Sequence, residues 1–278
     1  KVSALPTLKI KITTSLDKII NSVNNKKFEN IKSNAVIESN IYFHDGNIFT
    51  ANKIKDFYFN VSESTYISSK SLEIFSSSNI VSSNKFNLSL NDQKQSSKIN
   101  TNTSPKSYQY TLTSIGNIKS RTMHDIFNTN KETFDGQAIF KSILSYNYNT
   151  NEMSIYSSSD LSGISLNVIK PWSKQKTKKV NFVINYQHFP KKSFPLKINL
   201  DKNEFEFKNL KNNTYIKIKS PAARGILKYP VNKSEENIFS GSFEYIDMTY
   251  FSSDRLIDYF PMIDIQSKHV KTTNTVFD

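Results

Sequence analysis

The sequence predicts an all-β fold, mostly antiparallel, with one or two short helices. Runs of alternating apolar and polar residues recur at spacings of roughly 10–12 residues, the period-2 signature of strands with one face in water. Turn residues (Gly, Asn, Asp, Ser, Pro) separate these runs. Aromatic residues make up 13% of the chain, with 20 Phe and 14 Tyr. That is enough apolar bulk for a folded chain, although hydrophobic residues are only 37% of the total.

In order along the chain, Leu8, Ile10 and Ile12 alternate with Lys9 and Lys11 and give a first strand. Thr14-Ser15 then caps a short helix in which Leu16, Ile19, Ile20 and Val23 fall at helical spacing. Short strands follow at 37–43, 48–54, 57–61, 72–75 and 86–90, with Asp45-Gly46-Asn47 the clearest hairpin turn. Residues 91–107 are polar and without pattern, so they predict a long exposed loop. A domain boundary fits there, dividing the chain into 1–107 and 108–278, and so does a hairpin loop within one continuous sheet. Tyr108, Tyr110 and Leu112 resume the alternation, 121–128 suits a helical turn, and Gly136, Ala138 and Phe140 share a strand face.

The stretch 152–174 is central. Met153, Ile155 and Ser157 alternate, Asp160-Leu161-Ser162-Gly163 supplies a turn, and Ile164, Leu166 and Val168 form a second strand until Lys170-Pro171 ends it. Val180, Phe182, Ile184, Tyr186 and His188 are the longest clean alternation, and strands at 195–200, 204–208, 215–219, 225–229 and 239–250 follow. Both faces of the 182–189 run carry bulk: Phe182, Ile184 and Tyr186 on one, Val183 and Phe189 on the other. A closed sandwich explains this, and so does a curled open sheet with an apolar concave face.

Net charge is +13, which attracts anions in general. Of the 37 basic residues only Arg121, Arg224 and Arg255 are arginine, and the lysines are scattered among Asn, Ser and Ile. Compositional bias explains this better than a nucleic-acid surface, and no nucleic acid is expected as a partner. Aromatics at Phe57-Tyr58-Phe59 and Phe243-Glu244-Tyr245 would stack bases only in a concentrated basic groove. The absence of cysteine excludes disulfides, thiolate metal sites and cysteine nucleophiles. His44, His124, His188 and His269 are not at metal-ligand spacing, and neither a nucleophile elbow nor a phosphate loop exists. Asp160 reads as a turn cap and Asp264 as an outward strand position, so no catalytic residue, metal or cofactor is assigned. Trp172 suits either a lipid–water boundary or the plug of a sheet end, and Arg224 either a lipid phosphate or a salt bridge. No run of roughly 18 apolar residues is present. The first residue is Lys, which reads as an excised piece of a longer protein.

Ser159, Asp160, Leu161 and Gly163, followed by an apolar strand and then Pro171 and Lys174, resemble a signature of the YhdP family of AsmA-like bacterial envelope proteins. Val168 and Ile169 stand where that family has another Pro, and Trp172 where it has an aliphatic residue. Pro221-Ala222-Ala223-Arg224-Gly225-Ile226-Leu227-Lys228-Tyr229-Pro230, then 243–248 and 258–265, are similar to a second element of the same family. The resemblance covers roughly residues 110–278. It implies a long, curved, twisted β-sheet forming an apolar groove in the periplasm of a Gram-negative bacterium. There an inner-membrane-anchored protein passes phospholipid acyl chains between inner and outer membrane without catalysis. On that reading, alternation assigns Phe182, Ile184, Tyr186, Ile216, Ile218, Phe243 and Tyr245 to the groove lining. The competing expectation is a ligand-free structural or adhesive β-sandwich of an exported protein.

Overall fold

The computed structural model describes residues 7–14, 33–44, 46–60, 65–77, 80–104, 107–127, 129, 131–147, 149–168, 172–189, 192–193, 195–210, 213–230, 239–250, 263–272 and 276–277. The helix expected over 16–23 lies outside these residues. The chain is all-β and mostly antiparallel. It divides into two compact units, Lys1–Thr129 with Ile139–Met153, and Asn130–Ala138 with Ser154–Asp278.

The first unit begins with β1 (Thr7–Thr14), β2 (Ser33–His44), β3 (Asn47–Asn60) and β4 (Tyr66–Ser76), paired antiparallel in succession. β2 and β3 meet at His44↔Asn47 across the expected turn, where Gly46 takes φ +73°. The two runs expected at 48–54 and 57–61 are one strand. Asp56, at φ +51°, forms a bulge that lets Asn34 face Tyr58 while Val36 faces Lys55. β4 then splits its pairing. Its C-terminal end runs beside β5 (Val81–Ser83), and its N-terminal end pairs with β6 (Phe86–Leu90).

The long loop expected at 91–107 is instead a strand, β7 (Gln93–Ser104), held between β6 and β8 (Ser107–Lys119). Asn91 and Asp92, at φ +47° and +64°, make a two-residue turn joining Leu90 to Gln93. Both are residue types that tolerate the left-handed region such turns require. The polar side chains that suggested a loop serve as cross-strand partners. Ser97 and Ser114 hydroxyls lie 3.0 Å apart, the Gln95 amide donates to the Asn117 carbonyl at 2.8 Å, and Ile99 N–H donates to Ser83 Oγ at 2.8 Å. Gln95 and Ser97 are buried with those needs met. The β7–β8 pairing runs from Gln95↔Gly116 to Ser104↔Ser107. Helix α1 (Ser120–Phe127) follows, as expected at 121–128, with Thr122, Met123 and His124 buried and Gln93 Nε2 donating to Thr122 Oγ1 at 2.5 Å.

β9 (Phe134–Asn147) and β10 (Glu152–Ser159) straddle the division between units. The second unit continues with β11 (Ile164–Leu166), β12 (Phe182–Phe189), β13 (Lys192–Ser193), β14 (Leu196–Leu200), β15 (Asn203–Leu210), β16 (Asn213–Lys219), β17 (Ala223–Pro230), β18 (Phe239–Asp247), β19 (Ile263–Lys271) and β20 (Val276–Phe277). β11 takes β9 as its antiparallel partner, Ile164↔Gly136. From β12 through β14 to β18 the strands form an antiparallel meander, and β19 then adds parallel to β18. Among the described residues, no helix is long and apolar enough to cross a membrane.

Candidate apolar binding face

Period-2 alternation and the observed register together sort the second unit into two unlike faces. One face carries two cross-strand rows. The first runs Ile184↔Ile198↔Phe205↔Ile218↔Gly225↔Phe243, and the second Leu196↔Phe207↔Ile216↔Leu227↔Gly241. The opposite face carries Lys197, Glu206, Lys217, Glu204, Lys219 and Arg224 at matching positions. Lys219 lies 3.6 Å from Glu204, and Lys197 lies 4.0 Å from Glu206. These exposed pairs add little stability, but they identify the face that water wets.

The apolar rows are unevenly covered. Ile218, Ala223, Phe243 and Ile246 are buried and pack together with Trp172, whose ring meets Phe205 edge-on at 5.3 Å and 80°. Trp172 therefore plugs one end of the face. Ile184, Leu196, Ile198, Phe207, Ile216 and Leu227 are less completely buried, although Ile216 and Leu227 pack against the same cluster and Phe182 and Leu200, beside Ile184 and Ile198, are buried. Phe243 lies down over two glycines. A Cβ on Gly225 would meet Phe243 Cδ1 at 2.5 Å, and one on Gly241 would meet Phe243 Cε2 at 2.7 Å. Strand glycines at a close approach of this kind are what let a large ring lie flat on the sheet.

The plug is held by the 159–180 stretch, whose parts the fold brings together. Lys174 is buried, and its ammonium donates to the carbonyls of Leu161 (2.7 Å), Ile164 (2.5 Å) and Gln175 (3.0 Å). Loss of water around it pushes the amine below the usual lysine range. Its backbone also pairs with Leu166 in both directions, at 2.8 and 2.9 Å. Ser159 Oγ accepts from Leu161 N–H at 3.0 Å, and Asp160 Oδ1 accepts from Ser162 N–H at 2.9 Å, the turn-capping role expected of Asp160. Leu161 (φ +49°) and Gly163 (φ +89°) both sit in the left-handed region. Gly163 also backs onto Gly136 (φ +112°), where a side chain would overlap the Gly163 carbonyl.

Of the seven residues the sequence assigns to one face, the register brings Ile184, Ile216, Ile218 and Phe243 together. Phe182 and Tyr186 flank Ile184 on the same side of β12. Tyr245 is on the other side. The register shifts at Arg224/Gly225, so Ala223 faces Ile246 and Arg224 faces Tyr245. One extra residue in β18 therefore hands the apolar position to Ile246, which is buried. Tyr245 instead donates to Asp247 Oδ2 at 3.0 Å.

Asp247 is a buried carboxylate that the sequence reading did not single out. It accepts from Thr249 N–H (3.0 Å), Thr249 Oγ1 (2.5 Å), Tyr245 Oη (3.0 Å) and Lys271 Nζ (3.0 Å). Burial pushes its carboxyl up, and these hydrogen bonds outweigh that and bring it down to about 2. Its partners span 26 residues, and local pattern gives no signal for such a group.

The first unit has an apolar face of its own with a polar crossing. Ile37↔Ile54↔Leu72 is an apolar row, and next to it Ser39↔Asn52↔Ile74 and Ile41↔Thr50↔Ser76 share the same side. Ser39 Oγ donates to Asn52 Oδ1 (2.7 Å), Asn52 Nδ2 to Thr50 Oγ1 (2.8 Å), and the Thr50 and Ser76 hydroxyls are 2.6 Å apart. No residue of β3 is fully buried. A sheet covered by a second protein layer would bury alternate residues along such a strand. Comparison with known proteins returns no matching family model, no matching curated protein and no matching solved structure.

Proposed function

We propose that this chain is a segment of a bridge-like lipid-transport protein whose apolar sheet face accommodates phospholipid acyl chains. The observation that supports this reading is the incomplete burial of the apolar rows, with Ile184, Leu196, Ile198, Phe207, Ile216 and Leu227 aligned across strands and each retaining some exposed surface. Each methylene that leaves water against such a surface gains roughly 0.8 kcal/mol. A row spanning several strands thus makes a dry path energetically preferable to an aqueous one, and no reacting group is needed. The Ser-Asp-Leu-x-Gly and Pro-x-x-Lys resemblance to YhdP-like envelope proteins adds support. The full reading is transport between inner and outer membrane by an inner-membrane-anchored periplasmic protein.

The closed end under Trp172 favours a second reading, in which the face is an ordinary core of a ligand-free structural protein. Organic extraction of the purified protein followed by mass spectrometry separates the two. Phospholipid is expected in the extract, and its recovery should fall in Ile216→Glu or Leu196→Glu variants that retain their circular dichroism. A lipid-free wild-type protein would leave only the structural reading.

A further inference from the structure

We propose that the break in pairing between β4 and β6 is a binding site for a phosphate group. β4 pairs with β5 only over Ile74–Ser76 and with β6 only at Ile67 and Ser68. The facing stretches 69–73 and 84–88 form no ladder with each other, and a cavity of about 480 Å³ lies between them. That volume is within the usual range for small-ligand sites, about 300–1,000 Å³.

Lys70, Lys85 and Lys94 line this cavity from three different segments, with Glu73 the single acid among the lining residues. None of the three ammoniums forms an ion pair with a described residue, and all three are exposed. Three like charges around one opening repel one another, and a bound phosphate anion relieves that repulsion while gaining charge-assisted hydrogen bonds. Asn87 and Ser89 supply neutral donors. Ser89 and Lys94 are direct cross-strand partners, so Asn87, Ser89 and Lys94 share one side of the sheet. Lysine ammoniums act as movable point charges, which suits a tetrahedral phosphate without demanding the fixed fork of arginine. Leu72 and Phe86 add apolar surface to the lining, which suits a phosphate ester with an organic substituent as well as the free ion. The site does not depend on the acyl-chain reading, since every residue in it belongs to the first unit.

The test is calorimetric titration of the full chain with inorganic phosphate and, separately, with monomeric dihexanoyl phosphatidylglycerol, both in physiological salt. Wild type is expected to bind at least one of them. The Lys70→Ala/Lys85→Ala/Lys94→Ala variant should lose about tenfold or more in affinity. A charge-matched control, Lys202→Ala/Lys208→Ala/Lys217→Ala, should stay within about twofold of wild type, because none of these lysines lines the cavity. Lys85→Glu alone should reproduce the loss if the triple variant does not fold. Binding of the free ion alone assigns the site to free phosphate, and binding of the lipid alone assigns it to a headgroup. An equal loss in both triple variants, or no binding of either probe by wild type, overturns the proposal.

Discussion

Replacing Lys174 by Met keeps the aliphatic stem and removes only the ammonium, so it isolates the polar part of the nail that holds the 159–180 stretch together. The amine donates to three carbonyls at 2.7, 2.5 and 3.0 Å. Each hydrogen bond involving a charged group is worth about 1.5–3 kcal/mol net. Two corrections lower the sum. Burial of the ammonium is unfavourable, which is why its titration is pushed down. In addition, the Leu161 and Gln175 carbonyls keep backbone donors from Ile164 and Lys178, both at 3.2 Å. The expected loss is therefore about 2–3 kcal/mol, set mainly by the polar cage left around an apolar tip. Trp172 is the only tryptophan in the chain and sits two residues away, packed edge-on to Phe205. Its fluorescence during urea unfolding reports this region directly. A Lys174→Met protein whose stability by that probe is within about 0.5 kcal/mol of wild type, the range of ordinary surface changes, would refute the assigned role.

Other expectations follow from the same geometry. Gly225→Val should force Phe243 off the sheet and cost about 1–3 kcal/mol in thermal or denaturant unfolding. Gly163→Ala should destabilise by a similar amount, because its backbone is left-handed and a Cβ would lie 2.5 Å from the Gln137 carbonyl oxygen. The Asp247 carboxyl is held at about 2 against an ordinary 3.8. Its folded-state value is depressed, so its contribution is complete above about pH 4 and is lost as pH falls toward 2. Unfolding midpoints measured from pH 7 to 2 should show that decline in wild type and a shallower one in Asp247→Asn.

Most of the strands could be read in the sequence because alternation is a local property. The runs at 8–12, 37–43, 86–90 and 204–208 all fall within observed strands. The turn chemistry was legible too at Gly46 and Gly163, whose positive φ suits glycine, and at Asp160, which caps its turn, whereas the left-handed backbone of Leu161 gives no such signal. The polar segment 93–104 was opaque for the opposite reason. Its strand character rests on Ser83, Ser114 and Asn117, residues supplied by other strands, and without them its Gln, Ser and Thr side chains look solvated. Lys174 is visible as part of a motif, yet its burial is not, since lysine is among the residues least often buried.

The order of residues by itself determined that the chain is built of strands and that Phe182, Ile184 and Tyr186, like Ile216 and Ile218, fall on alternate positions of extended backbone. Those properties follow from spacing along a single extended backbone. Tertiary structure alone decided which strand faces which, that the extra residue at the Arg224/Gly225 register shift turns Tyr245 away and Ile246 inward, and that Trp172 packs onto the Ile218, Ala223, Phe243 and Ile246 cluster. Register and bulges are set by the partner strand, and coverage by segments distant in the chain, so neither can be written in the local pattern of the strand itself.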